Sequence, residues 1–196
     1  MKRDGEATRR RIVAKAANLL NTKGYLGTPI SEIMRVTGLK KGGIYNHFKS
    51  RDALTMEAFN YGAAQVRARL LKAVEGKGGA NEKLSALFGV FRNFAMEEVF
   101  QGGCPIMNLA IESDDADPSL REAARNAMSQ LIGLIERLIV QGMQNGEFAK
   151  GDARARATML AASLEGGIML SNLYKDYVYL QAVVDHLERQ VQDGLH

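Results

Sequence analysis

The sequence predicts an all-α protein of about nine helices, with an N-terminal three-helix head and a larger helical body. Apolar residues recur at the three- and four-residue spacing of a buried helix face along most of the chain, and no stretch of useful length alternates as a β-strand does. Charge is also divided unevenly: residues 1–54 hold 12 Lys/Arg and 4 Asp/Glu, whereas residues 55–196 hold 14 and 18. A basic head on an acidic body favours a polyanion as the partner of the head.

The first predicted helix runs over residues 7–23, after a mobile arm at residues 2–6. Apolar side chains such as Ile12 and Leu19 recur on one face, and Gly24 supplies the stop signal. Three consecutive arginines stand in the first turn, where the helix dipole disfavours cations. We therefore expect phosphate groups to lie opposite this turn.

Residues 28–54 predict two short helices around a glycine turn, followed by the start of a longer helix. In the first short helix, apolar residues have i, i+3, i+4 spacing, and Gly38 allows the left-handed backbone that closes it. The second, residues 40–48, is too short to be stable alone and is expected to pack through Ile44 and Phe48.

The second short helix leaves a polar and basic face outward, as a helix-turn-helix reader of the DNA major groove requires. We predict base and phosphate contacts from this face. Thr28, which is also expected to cap the first short helix, and the backbone amide of Gly42 support them. The predicted DNA-binding residues are Thr28, Lys41, Gly42, Tyr45, Asn46, His47 and Lys49.

The segment GLKKGGIYNHFKSRDAL, residues 38–54, resembles the TetR family of one-component transcriptional regulators. The family pattern is a glycine, an apolar residue and a short turn, then G-x-[LIF]-Y-x-[HY]-F and [KRP]-[SN]-[KR]-[DE]-x-L, and the resemblance covers about residues 8–55. Lys40 stands where a capping Ser or Thr is usual, and Gly43 where a Thr or Ser often touches phosphate. The resemblance implies a homodimeric repressor with a helical ligand-binding and dimerisation domain, which binds a double-stranded DNA operator and is released by a small-molecule effector.

Beyond the head, helical periodicity predicts six further helices separated by glycine-rich, acidic or Asn-Gly turns. Ser50, Asn81 and Asp152 stand at cap positions. The predicted ranges are 50–74, 81–100, 104–113, 118–144, 152–174 and 178–191. Because the first of these helices is expected to pack on both parts, we place the functional boundary near residue 54. This gives a DNA-binding domain at 1–54 and an effector-binding and dimerisation domain at 55–196.

The last two predicted helices are apolar on more than one side, and a monomer would expose much of that surface. We predict a homodimer in which both helices pack against their symmetry copies as a four-helix bundle. The predicted interface residues are Leu160, Ala161, Leu164, Ile168, Tyr179, Val183, Leu187 and Val191. Two-fold symmetry then requires a roughly palindromic operator, with reading helices one DNA turn apart, ~34–36 Å.

The middle helices of the body are rich in Met and Phe, which suit a pocket for a small apolar or aromatic effector and equally suit an ordinary core. The predicted lining is Phe91, Phe94, Met96, Cys104, Met107, Asn108, Met128, Met169 and Asn172. Cys104 leaves two interpretations open. At a helix start its thiol is expected to gain reactivity and to sense electrophiles or oxidants, whereas a buried thiol is simply a core residue.

Other function classes lack the residues that their chemistry needs. The three histidines are dispersed, no Glu-x-x-His occurs, and a single cysteine completes no zinc site. We predict no catalytic residues, no metal and no cofactor, and we find no phosphate-binding loop or nucleophile elbow. No signal peptide or membrane span is evident, so we expect a cytoplasmic protein. A DNA-binding protein without a ligand, and an activator rather than a repressor, remain alternatives.

Overall fold

The computed structural model describes residues 2–94, 101–113 and 117–195, and these residues form helices joined by short turns, with no strand among them. The predicted all-α fold class is confirmed. The described helices are α1 (Lys2–Lys23), α2 (Ile30–Thr37), α3 (Lys41–Tyr45), α4 (Arg51–Val74), α5 (Ala80–Phe94), α6 (Pro105–Ser113), α7 (Pro118–Gln144), α8 (Ala153–Tyr174) and α9 (Val178–Gln192).

Two helix boundaries differ from the prediction by three residues or more, and the predicted end of the helix over residues 81–100 lies outside the described residues. Because α1 begins at Lys2, the predicted mobile arm at residues 2–6 is wrong. Extending an existing helix adds one hydrogen bond per residue, which outweighs the roughly 1 kcal/mol cost of Gly5. The reading helix α3 ends at Tyr45 rather than near residue 48, because the chain tightens there and the amide of His47 donates to Ile44 O at 2.9 Å.

Packing divides the chain into two compact units. Unit 1 comprises residues 1–65 and 98–125, and unit 2 comprises residues 66–97 and 126–196. Unit 1 therefore holds α1 to α3, the first part of α4, all of α6 and the start of α7. The functional boundary that we place near residue 54 is a different division of the chain, and it remains a prediction.

The core of unit 1 forms where α1 crosses the start of α4. Tyr25, in the turn after α1, is fully buried, and its ring meets the edge of Phe59 on α4 at 6.0 Å between centroids. Ile33 of α2 and Ile44 of α3 are buried against the same core. Each short helix would be unstable alone and is stabilised by burying its apolar face in this core.

The core of unit 2 lies between α5, α7, α8 and α9. Phe88 and Phe91 of α5 are fully buried there. A glycine lets α8 and α9 approach closely, since a Cβ at Gly167 would lie 3.3 Å from the Cα of Leu180 and 3.3 Å from the Cβ of Val183. Small residues on α8 therefore serve packing inside the chain as well as at its surface.

Helix caps in unit 2 follow the sequence in one case and depart from it in another. Asp152 caps α8 as predicted, because its carboxylate accepts from the amide of Ala155 at 2.9 Å. Asn81 does not cap α5. That helix begins at Ala80, and the carboxylate of Glu147 accepts from the amides of Ala80 and Asn81, both at 3.0 Å. These two hydrogen bonds hold the pKa of Glu147 below its usual value of 4.5.

We expect Glu147→Gln to lower the free energy of unfolding at neutral pH by about 1 kcal/mol, the usual worth of a helix cap. The folded-state pKa of Glu147 is lowered, so its contribution is present above the unfolded value of about 4.5 and is lost as the pH falls through the folded value. Urea unfolding should therefore show that the difference in free energy of unfolding between the wild type and Glu147→Gln shrinks as the pH falls through that range. The exposed Glu75→Gln is the control, and a gap independent of pH would contradict the role of the charge.

Candidate DNA-binding surface

The turn between α2 and α3 has the geometry that the sequence predicts. Gly38 adopts a left-handed conformation (φ 73°), and its amide donates to Met34 O at 2.9 Å. The Thr37 hydroxyl donates to Ile33 O at 2.7 Å, which satisfies a second carbonyl at the end of α2. With Ile44 fully buried, the inner and outer faces of α3 are fixed.

The outer face of α3 and the residues just after it carry the predicted DNA-binding groups. Lys41, Gly42, Asn46 and Lys49 are exposed, and His47 is half-buried. Tyr45 is 37 % exposed although it is a large aromatic residue. The segment from residue 38 to residue 51 contains no Asp or Glu. The surface therefore offers an amide, a phenol, an imidazole and ammonium groups, a set that suits base edges and phosphates.

The structure tolerates the two residues of the reading helix that depart from the family pattern, but it does not explain them. Lys40 occupies the N-cap position with extended backbone and makes no side-chain capping bond. A Cβ at Gly43 would lie 3.6 Å from the Cβ of Leu39, an ordinary contact distance, so packing does not require glycine there. Neither residue disturbs the placement of the outer face.

Thr28 does not fulfil its predicted roles. Pro29, with extended backbone, occupies the N-cap of α2 and makes no side-chain capping bond. The Thr28 side chain is only 3 % exposed, and its hydroxyl donates to Gly24 O at 2.6 Å. A hydroxyl committed to the preceding turn and shielded from solvent is not a surface donor. Its role here is to close the turn between α1 and α2.

Arg51, at the start of α4, stands at the [KR] position of the family pattern, and the structure shows that it positions the turn before α2. Its guanidinium donates to Tyr25 O and Leu26 O at 2.8 Å each, and to Thr28 O at 2.9 and 3.1 Å. Three carbonyls of the turn before α2 thus converge on one planar cation, a geometry that Lys would not reproduce. The nearby Ser50 caps α4 as predicted, accepting from the amide of Ala53 at 3.0 Å.

Several cations of the head are paired rather than available to phosphate. Arg9 is bonded to Glu57 and lies 4.9 Å over the ring of Phe48. Because α1 begins at Lys2, the three arginines do not stand in its first turn, which was the reason to expect phosphate opposite them. Hydrogen bonds from Arg35 and Lys23 lower the pKa of Glu32 to about 2. The positive charge on the outer face of α3 therefore comes from the exposed lysines on and beside that helix.

Comparison with known proteins identifies the family. A model described as "Bacterial regulatory proteins, tetR family" matches residues 12–58, and one described as "Tetracyclin repressor-like, C-terminal domain" matches residues 80–187. The chain belongs to the TetR family. A TetR transcriptional regulator from Chloroflexus aurantiacus shares 41 % identity and a TM-score of 0.91, with 96 % of each chain covered.

Further relatives of this TetR-family regulator agree over nearly the whole chain. A TetR-family regulator from Cytophaga hutchinsonii has 30 % identity and a TM-score of 0.88, covering 96 % of this chain and 94 % of its own. The HTH-type transcriptional regulator LmrA from Bacillus subtilis is 28 % identical over 166 residues, covering 84 % of this chain and 86 % of its own. The chain is thus a DNA-binding transcriptional regulator.

The predicted effector-pocket residues of this TetR-family chain fall in both units. Cys104, Met107 and Asn108 belong to unit 1, whereas Phe91, Met128, Met169 and Asn172 belong to unit 2. Met96 and the side chain of Phe94 lie outside the described residues.

Three of those predicted pocket residues have surroundings that the structure describes. Met169 is 42 % exposed on the outside of α8, and the Asn108 amide already donates to Asn21 O, Asn21 Oδ1 and Gly102 O at 2.9–3.2 Å. Cys104 is fully buried, which favours the interpretation as a core thiol. The remaining pocket residues stay predictions.

The predicted dimer interface is also wrong in part. Six of its residues are at most 3 % exposed in the single chain, because they face its own core: Leu160, Ala161, Leu164, Ile168, Leu187 and Val191. Tyr179 is half-buried and stacks on Tyr174 at 4.8 Å, and Val183 is half-buried beside Gly167. The face of α8 that remains exposed is therefore rotated from the predicted one.

Two absences apply to the described part of this TetR-family chain. None of its described helices is long and apolar enough to cross a membrane. Within the same residues, no group of three or more His, Cys, Asp or Glu side chains is placed to hold a metal ion.

We expect Arg51→Met to destabilise unit 1 by about 2–3 kcal/mol, because carbonyls of the turn before α2 lose their donors. Hydrogen exchange at the amides of residues 25–28 should accelerate, and urea unfolding should shift to lower concentration. The exposed Arg67→Met on the same helix is the matched control. Equal stability of the two variants would show that the turn does not depend on Arg51.

Proposed function

We propose that this TetR-family regulator is a repressor that binds a palindromic operator as a homodimer and is released by a small-molecule effector. The observation that carries the DNA-binding part is the outer face of α3, exposed and free of carboxylates between residues 38 and 51. Such a face is attracted to phosphate and fits the width of the major groove. The site of action is then chromosomal DNA in the cytoplasm.

The exposed groups divide into two kinds of DNA contact. Tyr45 and Asn46 project at the C-terminal end of α3, where a phenol and an amide can reach base edges and thymine methyl groups. Lys41 and Lys49 supply phosphate contacts. A Cβ added at Gly42 would meet nothing within 4 Å, so the backbone there is open to a close phosphate approach. His47, half-buried, serves at the edge of this surface.

We expect Lys41→Ala to weaken operator binding and to flatten its dependence on salt. Each lost phosphate contact reduces the slope of log K against log[salt] by about 0.9, so a dimer that loses two should show a change of about 1.8. Fluorescence anisotropy on the palindrome footprinted upstream of the gene measures both quantities. Lys77→Ala, in the loop after α4, is the control. An unchanged slope would remove Lys41 from the phosphate contacts.

The exposed face of α8 is the proposed dimer interface. Met159, Ala162, Gly166, Met169 and Leu173 follow the alternating three- and four-residue spacing of a helix-packing seam. Met159 is 54 % exposed and Leu173 is 66 % exposed, although both are large apolar residues. A Cβ at Gly166 would meet nothing within 4 Å in the single chain, so this glycine lies on the open side. A second copy of the chain, crossing α8 near Gly166, would cover this seam.

We expect Leu173→Arg to weaken the dimer by roughly 100-fold or more, because it would bury an unpaired charge at the interface. Ile111→Arg is the matched control, since Ile111 of α6 is 69 % exposed and lies outside the seam. Analytical ultracentrifugation across a concentration series measures the dissociation constant of the dimer. If both variants remain dimers, a different face of the chain forms the interface.

The proposed effector is a small apolar or aromatic molecule bound in the helical body. Phe91, Met128 and Asn172, all in unit 2, are candidate lining residues, and a flexible methionine suits such ligands. The effector would release DNA only by binding the DNA-incompetent arrangement of the dimer more tightly than the competent one. Release of the operator by such a compound, with the dimer intact, would separate this function from that of a DNA-binding protein without a ligand.

A further inference from the structure

The turn after α7 holds an Asn-Gly pair, Asn145-Gly146, and no other asparagine of the sequence is followed by glycine. Both residues are exposed, and Gly146 has a left-handed backbone with φ 77°. Because glycine has no Cβ, no side chain of its own shields its backbone nitrogen. The side-chain amide of Asn145 is weakly held, since it donates to Glu147 Oε1 over 3.5 Å, the outer limit of a hydrogen bond. This side chain is therefore able to turn towards the backbone of the next residue.

The backbone nitrogen of Gly146 is also weakly held. It donates to Met143 O over 3.4 Å, whereas the next amide, that of Glu147, donates to Gly142 O at 2.8 Å. These two hydrogen bonds form a Schellman ending of α7, in which Gly146 is the left-handed residue. Opening the longer bond frees the glycine nitrogen while the shorter bond keeps the turn closed. The two groups that react when an Asn-Gly pair deamidates, a side-chain amide and the following backbone nitrogen, are therefore both accessible.

We propose that Asn145 is a site of spontaneous deamidation, a covalent modification that lies beyond the proposed function because neither DNA nor an effector takes part in it. The Gly146 nitrogen bonds to Cγ of Asn145, and its proton leaves with the side-chain NH₂ group as ammonia, which closes a succinimide ring. One water molecule then opens the ring. Cleavage at the backbone carbonyl carbon leaves isoaspartate, and cleavage at Cγ leaves aspartate. Either product adds one negative charge to the turn.

The modified turn sets the position of Glu147, the residue that caps α5 through the amides of Ala80 and Asn81. The same turn packs the ring of Phe148 on Gly142, where an added Cβ would overlap that ring. Isoaspartate routes the backbone through its own Cγ, so it adds one methylene group to a turn that has no spare length. We therefore expect isoaspartate at this position to move the carboxylate of Glu147 away from the α5 amides and to loosen the start of that helix.

Mass spectrometry of the full-length protein, aged in mildly alkaline buffer and then digested with trypsin, tests the reaction. The peptide of residues 138–150 contains Asn145 as its one asparagine, and it should lose ammonia, gain water and become a substrate for isoaspartyl methyltransferase. The peptide of residues 126–137 is the internal control, since its exposed Asn126 is followed by alanine and should stay unchanged. Asn145→Gln, which cannot close the five-membered ring, should also stay unchanged. Equal conversion of the two wild-type peptides, or of neither, would overturn the proposal.

Hydrogen exchange at the amides of Ala80 and Asn81 tests the consequence for α5. Exchange should be about fivefold faster in the aged wild type than in the fresh protein, the factor that corresponds to the loss of one helix cap. In Glu147→Gln the cap is already weakened, so ageing should add less acceleration there. Fresh Asn145→Asp carries the new charge without the extra methylene group and should exchange like the fresh wild type. Equal acceleration by ageing in the wild type and in Glu147→Gln would contradict the link between this modification and the cap.

Discussion

The placement of the reading helix depends on the turn between α1 and α2, which two side chains hold from different directions. Arg51 of α4 donates to three of its carbonyls, and Glu112 of α6 accepts from the amide of Leu26 at 3.0 Å. Backbone groups that leave water need such partners, because an unsatisfied one costs more than the hydrogen bond contributes. A displacement of either helix must therefore move this turn or break these bonds.

The approach of the chain before α6 to α1 requires particular small and polar residues. A Cβ at Gly102, which has φ 94°, would lie 2.3 Å from Asn21 O, so the chain before α6 can approach α1 only with glycine there. Asn21 and Asn108 then bond across this approach. Polar side chains thus dock α6 onto α1, while the apolar core beneath them supplies most of the burial. Directional hydrogen bonds fix the position of α6 along α1, which apolar packing alone would not specify.

Local sequence signals predict most of the fold but not the long-range partners. Gly38 and Asp152 act through neighbours within four residues, and both predictions are confirmed. Arg51 acts on carbonyls more than twenty residues away, and no periodicity reveals such a bond. On α8, apolar residues lie on all sides of the helix. Their helical spacing therefore predicts a buried helix but does not tell which side faces the core of the same chain. A rotation of one residue separates Leu160 inside from Met159 outside.

The net charge of the head is a second case in which the sequence does not reveal long-range partners. Residues 1–54 carry a net charge of +8, yet Arg9, Lys23 and Arg35 are bonded to carboxylates, and Arg51 is bonded to carbonyls. Only cations that displace condensed counterions from DNA contribute to the salt dependence of binding, so paired arginines and lysines contribute little. The exposed Arg10 and Arg11 of α1 and the exposed lysines on and beside α3 are then the cations that can contribute. Their number, rather than the net charge of the head, should set how steeply operator binding falls with salt.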